Sequence, residues 1–451
     1  MMRLILHFAV FLLCLCTTDV FAQRSKSRVN GATTTATNSF ISADAYAAPR
    51  AASDSADVYI VLKIDRSQLL FSKVSSFNEQ RGNYFAIVSL SAEARDHVGV
   101  IRQRVRYIDT LFVDSYEAIG QSSRYHLGRM HMELAAGQYT VAIESIGRNT
   151  KSVQKIVLPT LVLPRREQGN VKRVSCVFAT PVNRDFDTLR PIVFNGNIPF
   201  PSSSVVCIAT IPQVLHAPFD IWIRQQPYQE NDIQWWSDVT LHTSASNAAS
   251  IAGVTDRSDV VINQTVTSGS NLLIPFDASL LVPGRYELTI AGEGARDTLR
   301  YPFTVEWENM PLSLRSISYA LDALAYICPE EQLDSLQEGS DTERRIKLMN
   351  WWTTFDRSTS TAFNEHMAEY YRRVDHASVA YATLMESDGV FTDRGKIYIL
   401  FGEPTKIDRK TNKKGEQTES WIYSNAVRQM FVYTIDDNGR YTLTTVQHIK
   451  K

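Results

Sequence analysis

The sequence predicts a mainly β protein with a C-terminal α+β module: two immunoglobulin-like β-sandwiches followed by helices and a small antiparallel sheet. Three observations predict this order. Apolar and polar residues alternate with a period of two from residue 57 to about residue 307, as they do in half-buried strands. From Pro311 the apolar residues recur with the period of a helix. In addition, a Gly-x-Tyr sequence recurs near the end of each β region.

Residues 1–22 are predicted to be a secretory signal peptide. A short positive start precedes an apolar run from Leu4 to Cys16, which is shorter than the ~20 residues that span a bilayer. Val20 and Ala22 are small residues at the −3 and −1 positions of a cleavage site. We therefore expect export to the periplasm or the cell exterior, and no transmembrane segment in the mature chain.

Composition excludes some classes of protein. With 451 residues, of which 44% are hydrophobic, the chain can bury several cores. Its net charge of −1 lacks the basic excess of nucleic-acid-binding proteins, so we expect no nucleic-acid partner. The cysteines beyond residue 22 are too few for a disulfide framework. Cys176 and Cys207 lie in strand-like runs of one β region, and the sequence is compatible with a disulfide or with two buried thiols.

Four segments follow the predicted signal peptide. Residues 23–55 have no apolar period, so we predict a disordered linker. The strand patterns place the first β-sandwich at residues 56–163 and the second at residues 171–307, with a short polar linker between them. The α+β module is predicted at residues 311–451.

The Gly-x-Tyr repeat indicates that the two β regions are units of the same kind. Gly137 precedes Tyr139 and Gly284 precedes Tyr286, in each case where a late strand is predicted to begin. This arrangement is typical of the tyrosine corner of immunoglobulin-like sandwiches, in which the tyrosine hydroxyl bonds to the backbone a few residues upstream. We therefore expect Tyr139 and Tyr286 to have structural roles.

The α+β module begins with an apolar helical stripe from Leu314 to Cys328, and a capping box at Ser340 and Glu343 opens the next helix. A long helix is predicted to present an apolar face from residue 363 to residue 384. The elements predicted after it are a buried strand over Lys396–Phe401, a strand containing Trp421 and Tyr423, and a hairpin of residues 430–435 with 441–446 around the turn 436–439.

The order of motifs in this module resembles that of the bacterial GWxTD-domain proteins. A helix with the sequence Tyr-Tyr-Arg-Arg at residues 370–373 precedes the run that begins at Gly389, and Val390 stands where the family name has Trp. The resemblance covers residues 311–451. The family has no established activity, so the resemblance implies an architecture. The motif residues that it marks as structural are Gly402, Pro404, Trp421 and Tyr423.

Sequence motifs of common catalytic sites are absent. The chain has no Gly-x-Ser-x-Gly, no His-Glu-x-x-His, and no Cys-x-x-Cys after the signal peptide. Residues 389–396 differ from a phosphate-binding loop in the spacing of the glycines, in the presence of Ile397 and in the strand predicted after them. We therefore predict no catalytic residue, no metal ligand and no cofactor.

Two polar segments are candidates for an interaction surface. Asp393 and Arg394 are predicted in a turn, where they either pair with groups on the long helix or present an exposed polar site beside Glu403, although such a turn can also be purely structural. Residues 406–414 are predicted to be a basic loop that attracts anionic envelope components, although a solvated connector is compatible with the same composition. The candidate interaction residues are Gly389, Thr392, Asp393, Arg394, Gly395, Glu403, Lys410, Lys413 and Lys414.

These observations favour an exported, non-enzymatic interaction or structural protein of the bacterial cell envelope, whose partner is a protein or another envelope component. One alternative is a hydrolase that uses Asp393, Glu403 or Glu419 as acid and base, which requires two carboxylates close together in a cleft. Another is an outer-membrane assembly factor, because residues 402–440 are similar in motif order to small lipoproteins of the β-barrel assembly machinery.

Overall fold

A computed structural model describes residues 40–449 with gaps. The described ranges are 40–50, 53–74, 82–115, 117–120, 125–146, 154–165, 172–211, 216–228, 234–236, 238–245, 248–255, 257–263, 271–293, 298–356, 360–411, 415–424 and 428–449. The predicted signal peptide lies outside them. No helix in these ranges combines the length and the hydropathy that a membrane span requires. The chain is mainly β, with helices and a four-stranded antiparallel sheet at its C-terminal end, as the sequence predicts.

The first β region consists of two sheets that share one apolar core. One sheet has the order β1-β2-β6, and the other combines β3, β4, β5, β7, β8 and β9. Alternate residues of β2, β4 and β7 point into the space between them, as the period-two pattern predicts. The strands are β1 (Ile41–Pro49), β2 (Ser55–Asp65), β3 (Ser72–Lys73), β4 (Tyr84–Asp96), β5 (Ile101–Val113), β6 (Tyr125–Ala135), β7 (Gly137–Ser145), β8 (Lys155–Val157) and β9 (Leu161–Leu163).

Strand β1 corrects the prediction that residues 23–55 are disordered. Residues 41–49 pair with β2 over their whole length and bury Ile41, Ala43 and Ala47 in the core. The prediction was wrong here because small alanine side chains give only a weak apolar pattern, whereas pairing with β2 satisfies the backbone and buries them. Residues 23–39 lie outside the described residues.

The second β region combines a closed six-stranded barrel with a five-stranded sheet. The barrel has the order β10-β11-β17-β16-β18-β13, and the sheet has the order β12-β20-β19-β14-β15. One apolar core lies between them. The strands are β10 (Ser175–Pro181), β11 (Thr188–Pro191), β12 (Ile198–Pro199), β13 (Ser204–Thr210), β14 (His216–Gln225), β15 (Thr240–Ala245), β16 (Ala248–Val254), β17 (Val260–Asn263), β18 (Asn271–Asp277), β19 (Gly284–Glu293) and β20 (Leu299–Glu306). The cysteines Cys176 and Cys207 are buried free thiols here.

A buried carboxylate joins the two β regions. Asp44 on β1 accepts hydrogen bonds from the backbone N–H groups of Phe194, at 3.0 Å, and of Gly196. In return, the side-chain oxygen of Asn195 accepts the N–H of Ala43 at 2.9 Å. Burial raises the pKa of the Asp44 carboxyl to about 7. Strand β1 is therefore part of the contact between the two regions.

The two tyrosines of the repeat make the same hydrogen bond. The Tyr139 hydroxyl donates to the carbonyl oxygen of Ala135, and the Tyr286 hydroxyl donates to that of Val282, both at 2.9 Å. Each bond ties the start of a late strand to the backbone four residues upstream. This is the bond that the tyrosine-corner interpretation requires.

The C-terminal module places helices before a sheet with the order β21-β22-β23-β24. The helices are α1 (Ile317–Leu324), α2 (Glu330–Gln337), α3 (Asp341–Thr353), α4 (Glu365–Ala380) and α5 (Asp393–Phe401), and the strands are β21 (Lys406–Thr411), β22 (Gln417–Tyr423), β23 (Gln429–Ile435) and β24 (Tyr441–His448). The capping box of Ser340 and Glu343 and the hairpin of β23 with β24 are confirmed. Helix α4 ends before Leu384, which is fully exposed.

Two predictions in this module are wrong. Residues 396–401 belong to helix α5 and are not a strand, because Thr392 caps the helix and an apolar run this short fits either element. Residues 406–411 form the edge strand β21 and not a loop, because they pair with β22 along their length. Lys413 and Lys414 lie outside the described residues.

Four aromatic rings connect the second β region to the helices. Phe200 contacts Trp236, Trp307 and Phe363, with ring centroids 5.5 to 5.7 Å apart. Trp307 and Phe363 also pack edge to face at 5.8 Å. Such pairs stabilise a contact beyond the area that they bury. The boundary at residues 307–311 therefore coincides with a packed aromatic junction, and its position as a domain boundary stays a prediction.

Replacing either corner tyrosine with phenylalanine should lower the free energy of unfolding by about 1 kcal/mol, because a buried hydrogen bond is lost. Denaturant unfolding of Tyr139→Phe and Tyr286→Phe measures this. Tyr46→Phe is the matched control, since the buried Tyr46 hydroxyl has no hydrogen-bond partner among the described residues. Equal unfolding midpoints for all three variants and the native chain would contradict the structural role of the corners.

Candidate functional site

The run that resembles the family signature folds into two short helical pieces. A 3₁₀ helix, Gly389–Phe391, leads directly into α5. The Asp388 carboxylate accepts the N–H of Val390 at 3.0 Å, which caps the first piece. The Thr392 hydroxyl accepts the N–H of Gly395 at 3.0 Å and donates to the carbonyl oxygen of Gly389 at 2.8 Å. Thr392 is buried, so its side chain is part of the scaffold of the turn.

Both glycines of this run are needed because the backbone passes too close for a side chain. A Cβ atom on Gly395 would lie 1.8 Å from the carbonyl oxygen of Gly389. A Cβ atom on Gly389 would lie 2.1 Å from the carbonyl oxygen of Ala377 in α4. Gly395 lies within α5, and its role there is close packing of the backbone.

Val390 occupies the position of the tryptophan in the family name, and it is completely buried in the core of the helices. The Tyr326 hydroxyl donates to its carbonyl oxygen at 2.9 Å. The next residue, Phe391, is 52% exposed and packs edge-on against Tyr319. In this chain the position serves core packing.

Asp393 joins the helix to the edge of the sheet. Its carboxylate accepts the N–H of Leu443 in β24 at 2.7 Å. As the first residue of α5, it also places a negative charge at the positive end of the helix. The sequence led us to expect Asp393 in an exposed turn before a strand, and the structure instead gives it a partner within the module.

Arg394 lies in a cluster around the buried carboxylate of Glu419. Its guanidinium lies 3.4 Å from the ring centroid of Tyr441 and 3.8 Å from the Glu419 carboxylate. Glu419 is 1% exposed, and it accepts Arg409 Nε at 2.7 Å and Trp421 Nε1 at 2.8 Å. A buried carboxylate requires such partners. Arg394 is thus largely buried and does not present a charge at the surface.

We expected Glu403 to lie beside Asp393, but the structure separates the two residues. The two residues lie at opposite ends of α5, which is about 13 Å long at the helical rise per residue. Glu403 is exposed. At that end of the helix, the Tyr423 hydroxyl donates to the carbonyl oxygen of Gly402 at 2.8 Å, and Arg373 donates to that of Ile399 at 3.4 Å. These bonds hold the C-terminal end of α5.

The cluster around Glu419 was not predicted, although the sequence contains a signal for it. Because side chains alternate along a strand, Glu419 must share a face with Trp421 and Tyr423, which are the aromatic residues of that strand. A carboxylate on an aromatic face predicts cationic partners.

Of the remaining candidate interaction residues, Lys410 is exposed on β21. No group of three or more His, Cys, Asp or Glu residues within the described ranges is placed to hold a metal ion.

The C-terminal part of the chain matches a known protein family. Residues 291–449 match the GWxTD domain family, so the C-terminal part of the chain is a GWxTD domain. The match begins within β19, and it therefore includes the last strand of the second β region. No curated protein matches the chain. Among solved structures, the CupB6 tip adhesin from Pseudomonas aeruginosa is 10% identical over 59% of this chain and 98% of that chain, and its TM-score of 0.12 is too low to support an argument.

Replacing Gly395 with alanine should lower the free energy of unfolding by about 3 kcal/mol, because the added methyl group collides with the backbone of Gly389. In an open helix the same change would stabilise the protein by up to about 1 kcal/mol. Gly253→Ala is the control, since its Cβ atom would meet no atom within 4 Å. Chemical denaturation measures both, and an unchanged or higher stability of Gly395→Ala would contradict the close approach.

Proposed function

We propose that this chain is an exported, non-enzymatic interaction or structural protein of the bacterial cell envelope. In this proposal the two β regions are immunoglobulin-like spacers or docking modules, and the GWxTD domain makes the specific contact. The composition of residues 1–22 supports export, because it has the charge and apolar pattern of a signal peptide. The periplasm and the cell exterior are the compartments that such a signal would serve.

The arrangement of the three candidate carboxylates is the observation that carries the non-enzymatic proposal. Asp393 accepts a backbone N–H, and Glu419 is buried between Arg409 and Trp421. Glu403 is exposed beyond the other end of α5. General acid–base catalysis requires a carboxyl group within hydrogen-bonding reach of the substrate. Two of these groups instead stabilise the fold, which favours binding over hydrolysis.

Strand β21 supports an electrostatic contact with an anionic component. It is the edge strand of the sheet, and Lys406, Arg409 and Lys410 are exposed along it. Lys406 pairs with Asp408 at 2.8 Å, and Arg409 pairs with Glu419. The sequence adds Lys413 and Lys414 directly after this strand. Clustered cations of this kind attract anionic lipid head groups, polysaccharides or acidic protein surfaces.

Replacing Lys410, Lys413 and Lys414 together with glutamine should weaken binding to native envelope fractions at low salt. It should also reduce the salt dependence of binding, because exposed charges are screened over ~8 Å at physiological ionic strength. Cosedimentation with envelope fractions at low and moderate salt measures both effects. The unfolding midpoint of the variant should stay that of the native chain, since Lys410 is exposed and makes no side-chain contact that the fold requires among the described residues.

The matched control changes the same number of charges elsewhere. Lys73, Lys155 and Lys172 are exposed in the two β regions, and their replacement with glutamine should leave binding unchanged. Equal losses in both triple variants would indicate a general charge effect. If neither variant affects binding or its salt dependence, the electrostatic part of the proposal is wrong.

A further inference from the structure

The two edges of the C-terminal sheet differ in their protection against strand addition. At one edge, β21 carries four charged residues among its six: Lys406, Asp408, Arg409 and Lys410. At the other edge, β24 contains no Lys, Arg, Asp or Glu. Charged side chains are a common device for preventing a further strand from pairing with an edge. Strand β24 lacks this device and is rich in threonine, with a valine and a tyrosine, residues that favour strands.

The pairing of β24 with β23 determines which backbone groups are left at the edge. The N–H of Ile449 donates to the carbonyl oxygen of Arg428 at 3.0 Å. Hydrogen-bonded pairs alternate along an antiparallel ladder, so the N–H and C=O groups of Val446 and His448 point away from β23. All residues from Thr444 to His448 are exposed. This end of β24 therefore presents an accessible row of backbone donors and acceptors.

The other end of β24 is blocked. The carboxylate of Asp393 accepts the N–H of Leu443, which a further strand would otherwise use. Next to Leu443, β24 has a bulge, which is seen as a shift of register between Val432 and Tyr433 of β23. The hydroxyl of Thr444 donates to the carbonyl oxygen of Val432 at 3.1 Å. Bulges interrupt a ladder locally. The accessible segment is thus confined to residues 445–448.

We propose that this segment pairs antiparallel with the same segment of a second copy of the chain. A two-fold axis at Gln447 would place Val446 of each copy opposite His448 of the other, so the outward N–H and C=O groups of these residues would bond in reciprocal pairs. A second copy fits because the outward groups of Val446 and His448 are self-complementary across the axis, and residues 445–448 include no Lys, Arg, Asp or Glu that would repel their own copy. By contrast, the β21 edge of a second copy would bring charged side chains to the contact.

The contact is short, so we expect a reversible dimer that dissociates on dilution. The proposed dimer contact does not include the exposed cations of β21, such as Lys410, which lie at the opposite edge of the sheet. Self-association is measured with the purified chain alone, whereas the proposed function is measured with envelope fractions. Failure of one proposal is therefore distinguishable from failure of the other.

Sedimentation velocity of the full chain over a wide range of concentrations tests the proposal. The average mass should rise from one chain toward two chains as concentration increases. Val446→Pro should abolish the rise, because it removes an outward N–H that β23 does not use, and proline is tolerated at such edge positions. Circular dichroism and the unfolding midpoint check that this variant stays folded.

A cysteine variant provides a second readout that does not depend on the stability of the dimer. Gln447→Cys should form a disulfide-linked dimer under mild oxidation, because the two residues would face each other across the axis. Lys410→Cys, at the exposed opposite edge, is the matched control and should stay monomeric. A chain that is monomeric at every concentration, or equal cross-linking of the two cysteine variants, would overturn the proposal.

Discussion

The close contact between the backbone of Gly395 and the carbonyl oxygen of Gly389 joins the 3₁₀ turn to the start of α5. Thr392 lies between the two pieces and is hydrogen-bonded to both glycines. The next two residues reach the sheet, because Asp393 bonds to the edge of β24 and Arg394 lies beside Glu419. The residues of the signature therefore act as a joint between the helices and the sheet.

The buried carboxylate of Glu419 gives this joint its second support. A lone buried carboxylate would be strongly destabilising, so the two arginines and the Trp421 indole must stay in place around it. Arg394 comes from α5 and Arg409 comes from β21. The environment of the Glu419 side chain therefore depends on both the helix and the edge strand β21. The Glu419 carboxylate, which the sequence offered as a possible catalytic acid, thus holds α5 and the sheet together.

The sequence predicted elements whose determinants are local. The hairpin of β23 with β24 follows from a polar turn ending in Asn438-Gly439, and α3 follows from its capping box. Elements fixed by long-range contacts were missed. The apolar run 397–401 is compatible with a strand or a helix, and its contacts with neighbouring residues determine that it is helical. Strand β1 exists because β2 pairs with it, and its alanines give little sign of burial.

If the signature is a structural joint, Asp393 is the residue whose replacement tests this role most directly. In Asp393→Ala the N–H of Leu443 loses its acceptor, so hydrogen exchange at that amide should become faster and the free energy of unfolding should fall by about 2 kcal/mol. Asp393→Asn keeps an acceptor oxygen and should retain most of the stability. If Asp393→Ala instead leaves exchange and stability unchanged while envelope binding is lost, the aspartate acts on a partner and the claim is contradicted.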